Sequence, residues 1–360
     1  MRTGNYYLGK YNWTKYKRAI IRYGCSFFIF LFALVYYLLF FIKRNKMKNI
    51  LITGAAGFIG TNLISKLLKN EDYFIVGVDN FSPYYDIAIK NENIQSNKSD
   101  RFEFIFADIT DEFIMRTRVF DKYKFDTVIH LAAQAGVGYS INHSLEVIDV
   151  NIKGFDIMIR LSHDYKVNKF IFASSSTVLG NCDGVYRQKS PYGVTKATNE
   201  AQAKMYAELY KDIKIYGLRL YTVYGDRMRP DLAIAKFTRA ILNDEEIHIY
   251  GDGTIKRDFT YIDDVTEAFK TVMEGDCALN GEIYDVGNGK PTSIANLIDT
   301  MKTVYDKPNF NKIEYENGKP YDAILTNANG QLLEKYYNFK CKISLEEGLK
   351  RYKEYLDNEK

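Results

Sequence analysis

The sequence predicts an α/β protein built on a doubly wound parallel sheet, with a smaller α/β lobe after it and a membrane-spanning helix before it. Three observations carry this. Short apolar runs alternate with helix-length amphipathic ones after Met47, a glycine-rich turn follows the first of those runs, and no charge occurs between Gly24 and Ile42.

The uncharged segment comes first. Nineteen helical residues rise about 28 Å, close to the thickness of a bilayer's hydrocarbon layer, and Phe27–Phe32, Val35 and Leu38–Phe41 make the run strongly apolar. Lys15, Lys17, Arg18 and Arg22 precede it and Lys43, Arg44, Lys46 and Lys48 follow it, so the positive-inside rule does not orient it. No small-residue cleavage site follows, which argues against a removed signal peptide. Two readings stay open: a single-pass anchor over about 24–42 with the catalytic domain on the cytoplasmic side, or a soluble cytoplasmic enzyme whose translation starts at Met47.

After Met47 the runs Asn49–Thr53, Tyr73–Asp79, Phe102–Phe106, Thr127–Leu131, Lys169–Ser174 and Ile213–Leu218 read as strands. Gly57–Lys69, Ser144–Asp164 and Tyr192–Tyr210 read as helices between them. This alternation predicts parallel strands joined by helical crossovers. Lys90–Asp100 is polar, rich in asparagine and without periodicity, so it is expected to be a surface loop. Past about residue 220 the alternation weakens. The expected division is therefore 1–46 for the N-terminal segment, 47–220 for the dinucleotide-type domain, and 221–360 for a second lobe with some segments returning to the first.

Composition limits the function. With 49 basic against 45 acidic residues the net charge is only +4, too small a field to argue for nucleic acid. The four cysteines (Cys25, Cys182, Cys277, Cys341) form no C-x-x-C pair, and the histidines (His130, His143, His163, His248) are scattered, so neither a disulfide framework nor a metal site is expected.

The chemistry begins at Thr53-Gly54-Ala55-Ala56-Gly57-Phe58-Ile59-Gly60, where a strand turns into a helix. Glycines there allow a tight turn and close approach of a pyrophosphate to the helix N-terminus, the Rossmann arrangement, with Phe58 and Ile59 inside the turn. Asp79, followed by Asn80, ends the second strand where a carboxylate would meet ribose hydroxyls and repel a 2′-phosphate, so the expected cofactor is NAD rather than NADP. Asp108 and Ile109 stand near the adenine edge. Leu131, Ala132 and Ala133 are small enough, or near enough to the strand end, for the dinucleotide to lie close.

Ser174-Ser175-Ser176-Thr177 closes a strand, and Tyr192-Gly193-Val194-Thr195-Lys196 opens a helix. Tyrosine and lysine four apart share a helix face, so the ammonium can favour the phenolate, and a phenol with an ordinary pKa near 10 needs such help to act as a base at neutral pH. Thirty tyrosines make this match cheap alone, but it follows the glycine turn, the strand-two Asp and a serine cluster in order.

Together with Arg219-Leu220-Tyr221-Thr222-Val223-Tyr224-Gly225, Arg229-Pro230-Asp231, Asp252-Gly253 and Arg257 through Val265, these strings resemble the extended short-chain dehydrogenase/reductases, the NAD-dependent epimerase/dehydratase family, over residues 47 to about 355. The UDP-glucuronate 4-epimerase branch is the most similar. The resemblance implies Tyr192 as catalytic base, Lys196 holding it and the nicotinamide ribose, and Ser175 bonding the reacting hydroxyl. It also implies Thr177, Thr222 and Arg229 around the sugar, Arg257 on the diphosphate, and a homodimer. The implied reaction is 4-epimerisation of a UDP-hexose, foremost UDP-glucuronate to UDP-galacturonate, through a 4-keto intermediate. A guanidinium at Arg229 suits a uronate carboxylate, although Arg229 could equally pair with Asp231.

Three departures bear on the substrate. Asp226-Arg227-Met228 replaces the usual Pro-Trp-Gly, only Asn181–Pro191 separates the serine cluster from Tyr192, and Lys319-Pro320-Tyr321-Asp322 stands where an arginine often helps hold the diphosphate. UDP-glucose or UDP-N-acetylglucosamine 4-epimerisation remains the alternative. A dehydratase or decarboxylase is less favoured because no carboxylate flanks Ser176, Thr177 and Val178, and a non-catalytic NAD-binding scaffold would not keep Ser175, Tyr192 and Lys196 together.

Overall fold

Residues 47–181, 187–276 and 279–358 are described by the structure, a computed structural model. The expected membrane helix, and with it Cys25, Cys182 and Cys277, lies outside the described residues. Among those described, no helix is long and apolar enough to cross a membrane.

Strands β1 (Lys48–Thr53), β2 (Tyr73–Asp79), β3 (Phe102–Phe106), β4 (Thr127–His130), β5 (Lys169–Ser175), β6 (Lys214–Leu220) and β11 (Ile283–Val286) form one sheet in the order β11-β6-β5-β4-β1-β2-β3. Every neighbouring pair is parallel. The order reverses between β2 and β4 on either side of β1, which opens a crevice at the carboxyl ends of the strands. Alternation along β1 shows why the sheet is covered on both faces. Leu51 joins an apolar layer with Phe155, Met158 and Tyr206, while Ile50 and Ile52 join the opposite layer with Leu63, Ile64 and Phe269.

The covering helices are α1 (Phe58–Leu67), α2 (Ile87–Ser96), α3 (Ser144–Ile148), which runs through a π-turn at Asp149–Lys153 into α4 (Gly154–Asp164), and α5 (Pro191–Leu209). Helix α5 starts at Pro191 because Ser190 Oγ accepts the Gly193 N–H at 3.1 Å and proline suits the first helical position.

One expectation is corrected. Of the stretch Lys90–Asp100, Lys90–Ser96 is no surface loop; it lies in α2, capped by Asp86, whose carboxylate accepts the Ala88 N–H, and only 97–100 follow the helix. This helix buries polar groups in place of an apolar stripe. Asn93 Nδ2 donates to the Ala56 carbonyl at 2.9 Å, and Asn97 Nδ2 donates to Thr61 O and Oγ1 at 3.0 and 2.8 Å. Amide contacts leave no hydrophobic period to read in the sequence.

The remaining chain builds a second core, in which α6 (Ala233–Asn243), α8 (Ile294–Val304) and α9 (Leu345–Asn358) pack around Phe237, Ile241, Met301 and Leu349. Short pairs flank it: β7 (Thr222–Tyr224) with β10 (Phe259–Tyr261), β8 (Ile247–Tyr250) with β13 (Ile313–Glu316), and β9 (Lys256–Arg257) with β12 (Thr292–Ser293). Helix α7 (Ile262–Glu274) and β11 turn back to the large sheet, α7 against α1 and β11 beside β6.

Candidate active site

At the mouth of the crevice the β1–α1 turn is held by backbone bonds from Ala55 N–H to Val78 O and from Gly57 N–H to Gly54 O, both 3.1 Å. Gly54 has φ +72°, and a Cβ there would meet Ala132 N at 2.8 Å, so the turn lies directly against the end of β4. At Gly60 a Cβ would meet Gly54 O at 2.2 Å; only glycine lets the helix sit this close to the strand. The N-terminus of α1 has no side-chain cap at Gly57, which leaves its first N–H groups turned to the crevice mouth. Phe58 is buried and Ile59 half-buried in the first turn of α1.

Around that turn, Asp79 Oδ2 accepts the Ala56 N–H at 3.1 Å and Oδ1 accepts the Phe81 N–H at 2.8 Å. Asn80 Nδ2 donates to Asp108 Oδ2 at 2.7 Å, which joins the ends of β2 and β3. Burial alone would raise the Asp108 pKa, but bonds from Thr110 and Asn80 hold it below its usual value. Ile109 is buried beside it, and Leu131 N–H and Ala132 N–H bond to Thr53 O and Thr53 Oγ1 at 3.2 Å. The glycine turn, Asp79, Asn80, Asp108, Ile109, Leu131 and Ala132 are thus brought together at the carboxyl ends of β1, β2, β3 and β4, while Tyr192 and Lys196, also expected at the cofactor, stand at the start of α5.

On the other side Ser175 Oγ accepts from Thr177 twice, the N–H at 3.3 Å and the Oγ1 hydroxyl at 2.9 Å. With its lone pairs so filled, its own hydrogen remains free to donate. Burial pushes the Tyr192 phenol above its usual pKa, while the Ser175 bond and the Arg229 charge pull it back. Lys196 shares the helix face with Tyr192 and turns its ammonium to the backbone. Its Nζ donates to the Ala173 carbonyl at 2.9 Å and lies 5.9 Å from the centre of the Tyr192 ring, so in this structure the cation that lowers the phenol is Arg229. Burial brings the Lys196 ammonium down to about 8, against an upward push from Glu200.

Arg229 stands close to Tyr192, but the Nε–Nη2 edge of its guanidinium is already bidentate on Asp231, at 2.9 and 2.8 Å. Tyr84 backs this pair: its ring lies 5.1 Å under the guanidinium and its hydroxyl donates to Asp231 Oδ2 at 3.3 Å. The local pairing considered from the sequence is thus present within the site. Thr222 opens β7, half-buried, with its N–H on Asp258 O at 2.9 Å. Arg257 is half-buried in β9, with Nη1 on the Ala323 carbonyl at 2.6 Å, and so ties down the 319–325 stretch. In that stretch Lys319 lies over the Tyr250 ring at 3.4 Å, and Lys189 Nζ donates to Asp322 O at 2.6 Å. Asp226 accepts from the Tyr261 hydroxyl at 2.8 Å and Met228 is buried, so the unusual tripeptide is partly a packing element against α1 and β10.

Comparison with known proteins agrees with this geometry. Residues 50–287 match the family model described as the NAD dependent epimerase/dehydratase family. The chain belongs to that family. It is 36% identical over 314 residues to a UDP-glucuronate 4-epimerase of Thermodesulfobacterium geofontis, covering 85% of this chain and 95% of the relative. It is similar, at 32% identity and a TM-score of 0.79, to the crystal structure of UDP-glucuronic acid 4-epimerase from Bacillus cereus with UDP-glucuronic acid and NAD, covering 87% of this chain and all (100%) of that one. A UDP-glucose 4-epimerase from Thermotoga maritima with UDP-glucose is similar too, at 31% identity, a TM-score of 0.78 and coverage of 86% and 99%.

As a member of this NAD-dependent family the chain takes NAD, and two further features fit it. Gln134, 5% exposed at the end of the β4 crevice wall, has a buried Nε2 with no partner among the described residues. Lys90 on α2 is buried with its Nζ 3.6 Å from Asp79 Oδ1. The carboxylate therefore carries two backbone bonds and an ammonium, so it shapes the turn. Asp79→Ala is expected to weaken NAD binding and to strengthen NADP binding by roughly 1 kcal/mol or more, since Lys90 loses its anion and can meet a 2′-phosphate. Titration of the protein with both cofactors measures this; an unchanged preference removes Asp79 from the selection.

Several residues of the site had no signal that was used in the sequence. Lys90 sits in the stretch read as loop, and Tyr84 and Tyr85 in the turn before it. Glu200, Arg219 and Asp285 form a buried ion cluster beside Lys196. A charged residue near the carboxyl end of a mostly buried strand, Arg219 in β6, was the available hint, because such a charge needs a partner. His130, stacked on Phe170, is pushed down to about 3 by burial and the Lys196 charge, which keeps it neutral and structural. On the β8–β13 pair the exposed Glu246, His248 and Glu314 bring ligand atoms within 4.8 Å, but His248 Nδ1 already pairs with Glu314 and Glu316 at 3.2 and 3.1 Å.

Proposed function

We propose that the chain is a UDP-hexose 4-epimerase that converts UDP-glucuronate to UDP-galacturonate. The observation that carries this is the grouping of Ser175, Tyr192, Lys196 and Arg229: Thr177 holds Ser175, Lys196 Nζ lies 5.9 Å from the centre of the half-buried Tyr192 ring, and Ser175 and Arg229 pull the phenol's pKa down against burial. Tyr192 Oη takes the proton of the sugar 4-hydroxyl and later returns one to carbon 4's oxygen. Ser175 Oγ, supported by Thr177, bonds that oxygen and holds it in line with the phenol. Lys196 orients the nicotinamide ribose, and Thr222 and Arg229 hold the carbon-6 group while Arg257 faces the diphosphate. NAD, bound along Gly54, Gly57, Phe58, Ile59, Gly60, Asp79, Asn80, Asp108, Ile109 and Leu131–Ala133, accepts and returns the hydride of carbon 4. Glu200, the carboxylate nearest the serine cluster, has its oxygens committed to Arg219 and Ser174, which disfavours a dehydratase or decarboxylase. Incubation of the purified protein with UDP-glucuronate, UDP-glucose and UDP-N-acetylglucosamine, followed by product identification, tests the proposal.

A second reading has its own observation. Asp231 already neutralises Arg229, so a neutral hexose would need no new partner for that guanidinium. Preferred turnover of UDP-glucose or UDP-N-acetylglucosamine would establish it.

The proposal also covers organisation. Residues 47–220 would bind NAD and most of 221–360 the nucleotide sugar. The apolar segment 24–42 would anchor the enzyme, with the catalytic part in the cytoplasm, and its product would feed polysaccharide synthesis. Leu145 is 80% exposed, and with Ile148 of α3 and Val194, Met205 and Leu209 of α5 it makes an apolar helical face suited to a second copy of the chain. The full chain is expected to sediment with membranes, while a chain begun at Met47 stays in the supernatant and sediments as a dimer. Native protein starting at Met47 would end the anchor reading.

A further inference from the structure

Three adjacent strands beside the catalytic helix carry a row of buried charge. Ser174 on β5 is in register with Arg219 on β6, and Arg219 with Asp285 on β11. The guanidinium donates from Nε and Nη2 to the two oxygens of Glu200, at 3.0 and 2.8 Å, and from Nη1 to Asp285 Oδ1 at 2.8 Å. Ser174 Oγ donates to Glu200 at 2.5 Å. The Tyr221 hydroxyl and the Asn329 N–H complete Asp285 at 2.8 and 3.0 Å. The side chains of Arg219, Glu200 and Asp285 are only 12%, 8% and 9% exposed.

Glu200 lies one helical turn beyond Lys196 and two beyond Tyr192, on the same face of α5. The Lys196 ammonium reaches the carbonyl of Ala173, next to Ser174. The row holds one cation and two anions, and Lys196 brings the balancing charge. Other titratable groups face the same place. His130 of β4 feels the Lys196 charge, Tyr192 feels the Arg229 charge, and Asp258 feels Asp285 while its carboxylate accepts from Asn288, Gly289 and Ala328 N–H. A buried ion pair is weak evidence for stability, so the row's surplus negative charge is read through its neighbour Lys196.

We propose that Glu200, fixed by Arg219 and Ser174, is a positioning residue that keeps Lys196 protonated at neutral pH, so that Lys196 can hold the nicotinamide ribose beside Tyr192. This rests on the role of Lys196 in the proposed epimerase. Burial lowers Lys196 to about 8, and Glu200 is the group that opposes the fall. Removing that negative charge must lower Lys196 further, so protonated lysine is lost at a lower pH.

The test is NAD affinity against pH, with turnover as a second reading. In the parent protein affinity is expected to decline as pH rises through the Lys196 value; in Glu200→Gln the decline is expected about 1 pH unit lower, the scale for one close charge, with equal affinity at acid pH. Glu200→Asp, which retains the charge, keeps the alkaline limb in place. Asp285→Asn moves the limb in the same direction by less, and decides the matter if Glu200→Gln does not fold. A folded Glu200→Gln with the parent's alkaline limb overturns the proposal. NAD affinity and turnover unchanged in Lys196→Met would instead overturn the catalytic role on which it rests.

Discussion

Replacement of Tyr192 by Phe is expected to lower turnover by roughly a hundredfold or more, the scale for losing a positioned acid/base, while the fold and NAD affinity persist. The substitution removes one oxygen and leaves the ring, so packing against Ser175 and α5 changes little. That oxygen is the atom on which the local electrostatics converge: burial raises its pKa, and the Ser175 hydroxyl and Arg229 guanidinium lower it. Without it the 4-hydroxyl proton has no acceptor in the cluster. Steady-state turnover on UDP-glucuronate, thermal melting and NAD titration together read the effect, and near-normal turnover removes Tyr192 from the mechanism. Lys196→Met, by contrast, should impair cofactor affinity and rate together.

The second large effect concerns Arg229. If the substrate is a uronate, its carboxylate stays ionised and must find a partner when the site closes, so Arg229→Ala is expected to weaken use of UDP-glucuronate by about 2 to 5 kcal/mol. The bidentate pair with Asp231 changes how the result must be read. Deleting Arg229 also strands a partly buried Asp231, a loss that any substrate would feel. The informative quantity is therefore the difference between UDP-glucuronate and a neutral UDP-hexose in kcat/KM. Equal losses on both make Arg229 a holder of Asp231 and Tyr84 and favour the neutral-hexose reading. Arg227 is half-buried with φ +58°, two residues from Arg229, so the double substitution shows whether it takes over the carboxylate.

How much of this was legible in the sequence depended on the range of the interactions. The six strands first read, the glycine turn, Asp79, and the spacing of Tyr192 and Lys196 are local patterns, repeated within a few residues and tied to one backbone geometry. Each appears in the structure within two residues of the expected place. Helix α2 escaped because its buried face is built of Lys90, Asn93 and Asn97, whose value comes from partners at Asp79, Ala56 and Thr61 some ten to forty positions away. A hydrophobic period cannot report such contacts.

Charge partners were the least legible of all, because pairing is decided by distance in space and not by spacing in the chain. The sequence by itself determined the parallel sheet, the glycine turn that opens the first helix, and the family. Only the tertiary structure decided that Lys196 leans on Ala173 rather than on the phenol, that Arg229 is shared with Asp231, and that Glu200, Arg219 and Asp285 meet. Register between β6 and β11 sets Arg219 beside Asp285, and α5 lays Glu200 against that pair, so positions 200, 219 and 285 meet where burial makes each ionised side chain dependent on the others.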